Sequence, residues 1–109
     1  MFHQLKLNFN MTKLQFLLAK LAEECCEVAQ ATLKAKDFGM DGIIPDTSLT
    51  NRDRINAEIN DVIAIIEMLN ATGELQYSYD PVAVEQKKKK VERYALQSEA
   101  LGFVNWTQS

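Results

Sequence analysis

Several residue types are scarce in this 109-residue chain, and each scarcity argues against a class of protein. With only 4 glycines and 2 prolines against 47% hydrophobic residues, the composition is not that of a disordered chain. No apolar run is long enough to cross a membrane, and the initial sequence MFHQLKLNFN lacks the apolar core of a signal peptide. We therefore expect a single domain over residues 1–109, with no membrane partner.

Histidine and cysteine, the usual ligands of transition metals, are almost missing. The 2 cysteines are neighbours, Cys25 and Cys26, and the 1 histidine is His3. Adjacent helical residues point about 100° apart, so we expect no disulfide, and the pair lacks the spacing of a zinc site. We interpret them as buried or half-buried free thiols in a reducing cytoplasm. His3, interpreted as a surface residue, cannot supply the Glu-x-x-His pair of a di-iron site.

The chain also has no excess of basic residues, as its formal net charge of -3 shows. Nucleic-acid binding depends on a basic surface, so the composition argues against nucleic acid as the partner. The one local exception is the run from Lys87 to Lys90, and Glu85 and Glu92 flank it. A nucleic-acid binder acting through this run is therefore the weakest functional hypothesis for the chain.

Three segments show helical periodicity, and none shows the alternation of a strand. The first helix is predicted from about residue 12 to residue 36. Thr12 and Gln15 have the spacing of a capping box, and Gly39 can end the helix. The apolar stripe of this helix is expected to contain Leu14, Leu17, Leu18, Leu21, Cys25 and Val28.

The second helix is predicted from about residue 51 to residue 71, with Thr50 or Asn51 as its cap. The third begins with Asp80 as N-cap and Pro81 at the first helical position, and runs to about residue 101. The fold class is therefore all-α, with three long helices plus short connecting segments. The stripe of the second helix is expected to contain Ile55, Ile59, Val62, Ile66 and Leu69, widened by Ile63 and Ile65.

Two short acidic clusters, with the sequences EECCE and EIND, lie on or beside these apolar stripes. At 100° per residue, the expected burial of the carboxylates decreases from Glu58 through Glu24, then Asp61 and Glu27, to Glu23 near the polar face. A carboxylate that faces a core is costly unless a positive group pairs with it. The clusters therefore call for a cation.

The spacing within each cluster puts two carboxylates on one helix face, Glu24 with Glu27 and Glu58 with Asp61. If the helices pack antiparallel, as the intervening loop allows, all four converge and repel one another. An all-oxygen ligand set favours Mg²⁺, with Mn²⁺ as a substitute. A solvated face with an ion pair from Lys20 to Glu24 would explain the first cluster alone, but the two clusters together favour a metal site.

An EExxE helix, a loop and an ExxD helix together resemble the MazG-like family of all-α nucleoside triphosphate pyrophosphohydrolases, in its short phage and bacterial form. The resemblance covers roughly residues 14–102 and rests on LAEECCEV and EINDVI. It implies Mg²⁺-dependent hydrolysis of an NTP or dNTP to the monophosphate and pyrophosphate. It also implies a MazG-like helical bundle completed by oligomerisation, as a homodimer or a dimer of dimers.

The resemblance also implies roles for individual residues. Glu24 or Glu27 would accept a proton from the attacking water, while Glu23 would orient that water or pair with a lysine. The metal ligands would be Glu24, Glu27, Glu58 and Asp61. Phosphates beyond the metal need cations, for which the candidates are Lys20, Lys87 and Lys90, although a solvated surface role suits each of them.

The sequence does not identify which residues would recognise a base. Aromatic residues can stack on a base, but those near helix ends more often serve packing. The candidates are Phe38, Tyr77, Tyr79 and Trp106. The alternative to an enzyme is a catalytically silent helical interaction module that has kept the MazG-like fold.

Overall fold

A computed structural model describes residues 10–108 of the chain, and their regular secondary structure is helical. The helices are α1 (Lys13–Phe38), α2 (Asn51–Ala71) and α3 (Pro81–Ala100). Within residues 10–108 there is no strand, only an isolated antiparallel bridge between Ile43 and Thr50. The predicted all-α class is therefore confirmed. The interpretation of His3 as a surface residue falls outside the described residues.

The described residues form two compact units, which divide between Tyr77 and Ser78. The first unit contains α1 and α2, which pack against each other. The second contains α3 and the tail that follows it. A single domain over residues 1–109 stays a prediction.

The start of α1 is fixed by the capping box that the sequence predicts. The Gln15 N–H donates to Thr12 Oγ1 at 3.1 Å, and the Thr12 N–H donates to Gln15 Oε1 at 2.9 Å. The helix continues beyond the predicted end at Lys36 because nothing interrupts it before Gly39. That glycine has a φ of 88°, which an L side chain rarely adopts, and its N–H still donates to the Ala35 carbonyl at 2.8 Å.

The loop between α1 and α2 is tied to the start of α2. Thr50, one of the two predicted caps, is the N-cap, and Asp53 completes a capping box that was not predicted. Asn51 is buried, and its Nδ2 donates to the Gly39 carbonyl at 2.9 Å. The Asn51 N–H donates to the Gly42 carbonyl at 2.9 Å. These bonds hold the end of one helix against the beginning of the next.

The buried apolar core of the described residues is small and consists of Leu17, Ala31, Ala35 and Leu69. Several members of the predicted stripes lie outside it, because two packed helices cover only one side of each other. Ile59 and Ile63 are exposed. The expectation of buried or half-buried thiols is wrong, since Cys25 and Cys26 are both exposed.

In the second unit, the predicted cap of α3 is present, because Asp80 accepts a hydrogen bond from the Ala83 N–H at 3.0 Å, with Pro81 following the cap. The tail is held by Glu99, which accepts the N–H groups of Trp106 at 2.7 Å and Thr107 at 2.8 Å. Hydrogen bonding from the Thr107 backbone is the main cause that lowers the pKa of Glu99. Among residues 10–108, no helix combines the length and apolar character of a transmembrane span.

Gly42→Ala is expected to lower the free energy of unfolding by about 1–3 kcal/mol, as overpacking of a tight site does. An added Cβ would lie 2.7 Å from the Phe38 carbonyl oxygen and 3.0 Å from Asn51 Nδ2. Urea unfolding followed by circular dichroism measures the change. The exposed Ser48→Ala in the same loop is the control, with an expected change below about 0.5 kcal/mol. Equal stability of Gly42→Ala and wild type would contradict this packing.

Candidate metal centre

The site is built by the antiparallel course of α1 and α2. At one end of the pair, Asn51 at the start of α2 is bonded to Gly39 at the end of α1. At the other end, Leu14 and Leu18 of α1 share a cavity with Leu69 of α2. The middle of α1, which carries the first acidic cluster, therefore faces the middle of α2, which carries the second.

Three of the four predicted ligands meet at this place. Glu24, Glu58 and Asp61 each offer a carboxylate oxygen, and these oxygens all lie within 4.8 Å of one another. Glu24 and Glu58 are half-buried, whereas Asp61 is exposed. Glu27 is half-buried and lies outside this group of three. The expected convergence of four carboxylates is therefore a convergence of three, which we call the acidic triad, with Glu27 as a neighbour.

Glu58 is a poorly exposed carboxylate of the triad, since its side chain is only 17% exposed. Desolvation raises its pKa most, followed by the charges of Glu27 and Asp61, and the charge of Glu24 adds to them. Arg54 opposes this rise, but its Nε is 4.0 Å from Glu58 Oε1. The ion pair with Arg54 at that distance does not balance the surrounding negative charge, so the pKa of Glu58 stays raised.

Glu23 lies apart from the triad, as its predicted outward direction implies. Its side chain is 62% exposed, and its Oε2 accepts a hydrogen bond from Lys20 Nζ at 3.0 Å. Lys20 also lies over the ring of Phe16, 5.6 Å from the ring centroid. The suggested ion pair from Lys20 to Glu24 is therefore not the one that forms. As a consequence, Glu24 has no ion pair within residues 10–108.

The other two lysine candidates lie in the second unit. Lys90 Nζ is 5.9 Å from the ring centroid of Tyr94. Lys87 lines a cavity of ≈ 460 Å³ that also includes Val91 and Trp106. Binding of phosphate by these lysines stays a prediction.

Arg54 is the residue that the sequence analysis missed. It is half-buried, with its side chain 29% exposed, and it precedes Glu58 by four residues on α2. Opposite charges at that spacing lie on neighbouring turns of one helix face, so this pair could have been predicted from the sequence. The arginine places a cation directly beside the triad.

Comparison with known proteins adds no family to this description. No family model matches the chain, and neither a curated protein nor a solved structure matches it significantly. The MazG-like resemblance therefore rests on the motif residues and stays a prediction.

Glu58→Gln is expected to stabilise the metal-free protein at neutral pH. Because the folded state raises the pKa of Glu58, it binds this proton more tightly than the unfolded chain does, and stability falls as pH rises through that pKa. Relief of one like-charge pair three residues apart is worth about 0.2–0.5 kcal/mol. Urea unfolding in EDTA at several pH values measures the difference.

The advantage of Glu58→Gln should shrink as the pH is lowered and wild-type Glu58 becomes protonated. Glu67→Gln, at an exposed position of the same helix, is the matched control and should show no such pH dependence. A Glu58→Gln protein less stable than wild type at neutral pH would show that Arg54 outweighs the neighbouring carboxylates.

Proposed function

We propose that this chain is a Mg²⁺-dependent nucleotide pyrophosphohydrolase, which cleaves an NTP or dNTP to the monophosphate and pyrophosphate. Mn²⁺ is the expected substitute metal. The observation that supports the proposal is the convergence of Glu24, Glu58 and Asp61 from two different helices. The motif residues supply the reaction type, because EExxE and ExxD together resemble the MazG-like enzymes.

The donor set fits a hard cation. Oxygens bound to Mg²⁺ at 2.0–2.1 Å lie at most about 4.2 Å apart across the ion. The triad oxygens lie within 4.8 Å of one another, so small side-chain rotations bring them to that separation. Mg²⁺ usually keeps several waters and takes few protein carboxylates, which suits three partly exposed ligands. Glu27 would join the set directly or bind through a coordinated water.

Side chains of the first unit would accept the proton and bind the phosphates. Bound Mg²⁺ would neutralise phosphate charge and lower the pKa of a water. Glu24 or Glu27, through an oxygen that is not used as a ligand, would accept the proton of the attacking water. Arg54 would donate to a phosphate oxygen, since its long ion pair with Glu58 leaves the terminal nitrogens available. Lys20 would leave its exposed pair with Glu23 to bind an outer phosphate.

We also propose that the protein acts as a homodimer or a dimer of dimers, in which copies complete a MazG-like helical bundle. The first unit supplies two long helices, and a four-helix bundle needs two more. Its apolar side chains are only partly covered, as the exposure of Leu18, Ile59 and Ile63 shows. Packing of α1 and α2 against a second copy would remove this surface from water.

Pyrophosphate release from a panel of NTPs and dNTPs with Mg²⁺ tests the proposed reaction. Glu24→Gln and Glu58→Gln should each lower the rate on the order of 100-fold or more, because both remove a charge of the triad. Glu67→Gln is the control and should retain the wild-type rate. EDTA should abolish the reaction, and Mn²⁺ should restore it.

A folded wild-type protein that releases no pyrophosphate from any nucleotide of the panel would contradict the proposal for those substrates. Mg²⁺ added during thermal unfolding gives a second readout, because a ligand that binds only the folded state raises the Tm. No release combined with an unchanged Tm would favour the catalytically silent interaction module.

A further inference from the structure

A second feature of the first unit lies one helical turn from the acidic triad. It is a cavity of ≈ 430 Å³ where the end of α1, the loop after it and the beginning of α2 meet. Cavities that hold small molecules have about 300–1,000 Å³. Basic side chains of both helices line it, together with aromatic and aliphatic side chains. We call it the loop cavity.

We propose that the loop cavity binds the nucleoside monophosphate part of the substrate, with the base against Phe38 and Asn51 and the phosphate between Lys34 and Arg54. The proposal rests on the proposed hydrolase function for the identity of the ligand. It assigns recognition to side chains of one unit, and none of them belongs to the EExxE or ExxD motif.

The positive charge of the side chains that line the loop cavity favours an anionic ligand. Lys34 has no ion pair within residues 10–108, and Arg54 has only the 4.0 Å contact with Glu58. Two cations that line the same cavity repel each other in the absence of a ligand. A phosphate between them would remove that repulsion and accept charge-assisted hydrogen bonds from both.

The backbone at the start of α2 does not compete for this anion. Free N–H groups at a helix N-terminus commonly bind phosphate. Here the N–H groups of Asn51 and Arg52 donate to loop carbonyls, while those of Asp53 and Arg54 donate to Thr50. Because these donors are all used, recognition of an anion depends on the two basic side chains.

The rest of the cavity suits a planar base. Phe38 is 75% exposed as a residue, which leaves its ring available for stacking. Asn51 is only 6% exposed, and its Nδ2 donates to the Gly39 carbonyl. Its Oδ1 accepts no hydrogen bond from the described residues, so it is available to an N–H group of a base.

The position of Arg54 connects the cavity with the triad. Four residues separate it from Glu58, which corresponds to about 6 Å along the helix axis. A phosphate at Arg54 would therefore lie between the proposed metal and the base. This order, from metal to phosphate to base, matches the order of the parts in a metal-bound nucleotide and not that of an anion without a base.

Titration of the full chain with AMP, GMP, CMP and UMP in EDTA, followed by NMR or calorimetry, tests the proposal without metal. Binding of at least one monophosphate is expected, and Lys34→Ala and Phe38→Ala should each weaken it about tenfold. Lys36→Ala and Leu33→Ala, exposed neighbours on α1 that do not line the cavity, are the matched controls and should bind as wild type does.

Two further ligands separate the parts of the site. The affinity for inorganic phosphate should fall in Lys34→Ala and not in Phe38→Ala. The affinity for the free nucleoside should fall in Phe38→Ala and not in Lys34→Ala. No monophosphate binding at millimolar concentration, or binding that neither substitution weakens, would overturn the proposal.

Pyrophosphate release distinguishes this failure from failure of the hydrolase function. If the wild type releases pyrophosphate and neither substitution raises KM, the cavity proposal is wrong and the function stands. If monophosphates bind in the expected manner and no triphosphate is cleaved, the cavity proposal is supported and the hydrolase function is contradicted.

Discussion

The antiparallel packing of α1 against α2 positions every residue of the proposed catalytic and nucleotide sites in the first unit. Small side chains, Ala31 and Ala35, are buried on the half of α1 next to the loop, and Leu17 and Leu69 are buried towards the other end. The Asn51 side chain, bonded to Gly39, closes the pair at the loop. The acidic triad lies between these two anchored ends, so the packing of the helices fixes the distance between the backbone segments that carry its carboxylates.

Charges of opposite sign lie next to each other along this helix pair. The triad contributes negative charge, and Arg54 and Lys34 contribute positive charge beyond it towards the loop. A simple anion would suit only the basic end, and a metal ion would suit only the acidic one. A magnesium–nucleotide complex carries the complementary charges in the matching order, a positive metal followed by a negative phosphate, and this match supports the proposed function more than either group of residues does alone.

The parts of the structure that local sequence determines were predicted well. The capping box at Thr12, the cap at Thr50 and the Asp80-Pro81 start are all present, because each depends on residues within one turn. Burial was predicted less well, because it depends on which side of a helix its partner covers. Cys25 and Ile59 fit the periodicity of their helices and are nevertheless exposed. The loop cavity needs contacts between distant residues, so no local pattern indicated it.

Under the proposed function, the position of Glu58 would favour metal binding at the cost of stability. Its helix is well capped, and the same sequence that builds this helix places a poorly exposed carboxylate beside other negative charges. Natural proteins break local rules of stability mainly where function requires it. Glu23 is the contrasting case. It belongs to the same acidic cluster as Glu24, but it is solvated and forms an ion pair with Lys20. Within the first acidic cluster, Glu23 is therefore neutralised by its own lysine, whereas Glu24 and Glu27 add their charge to that around Glu58.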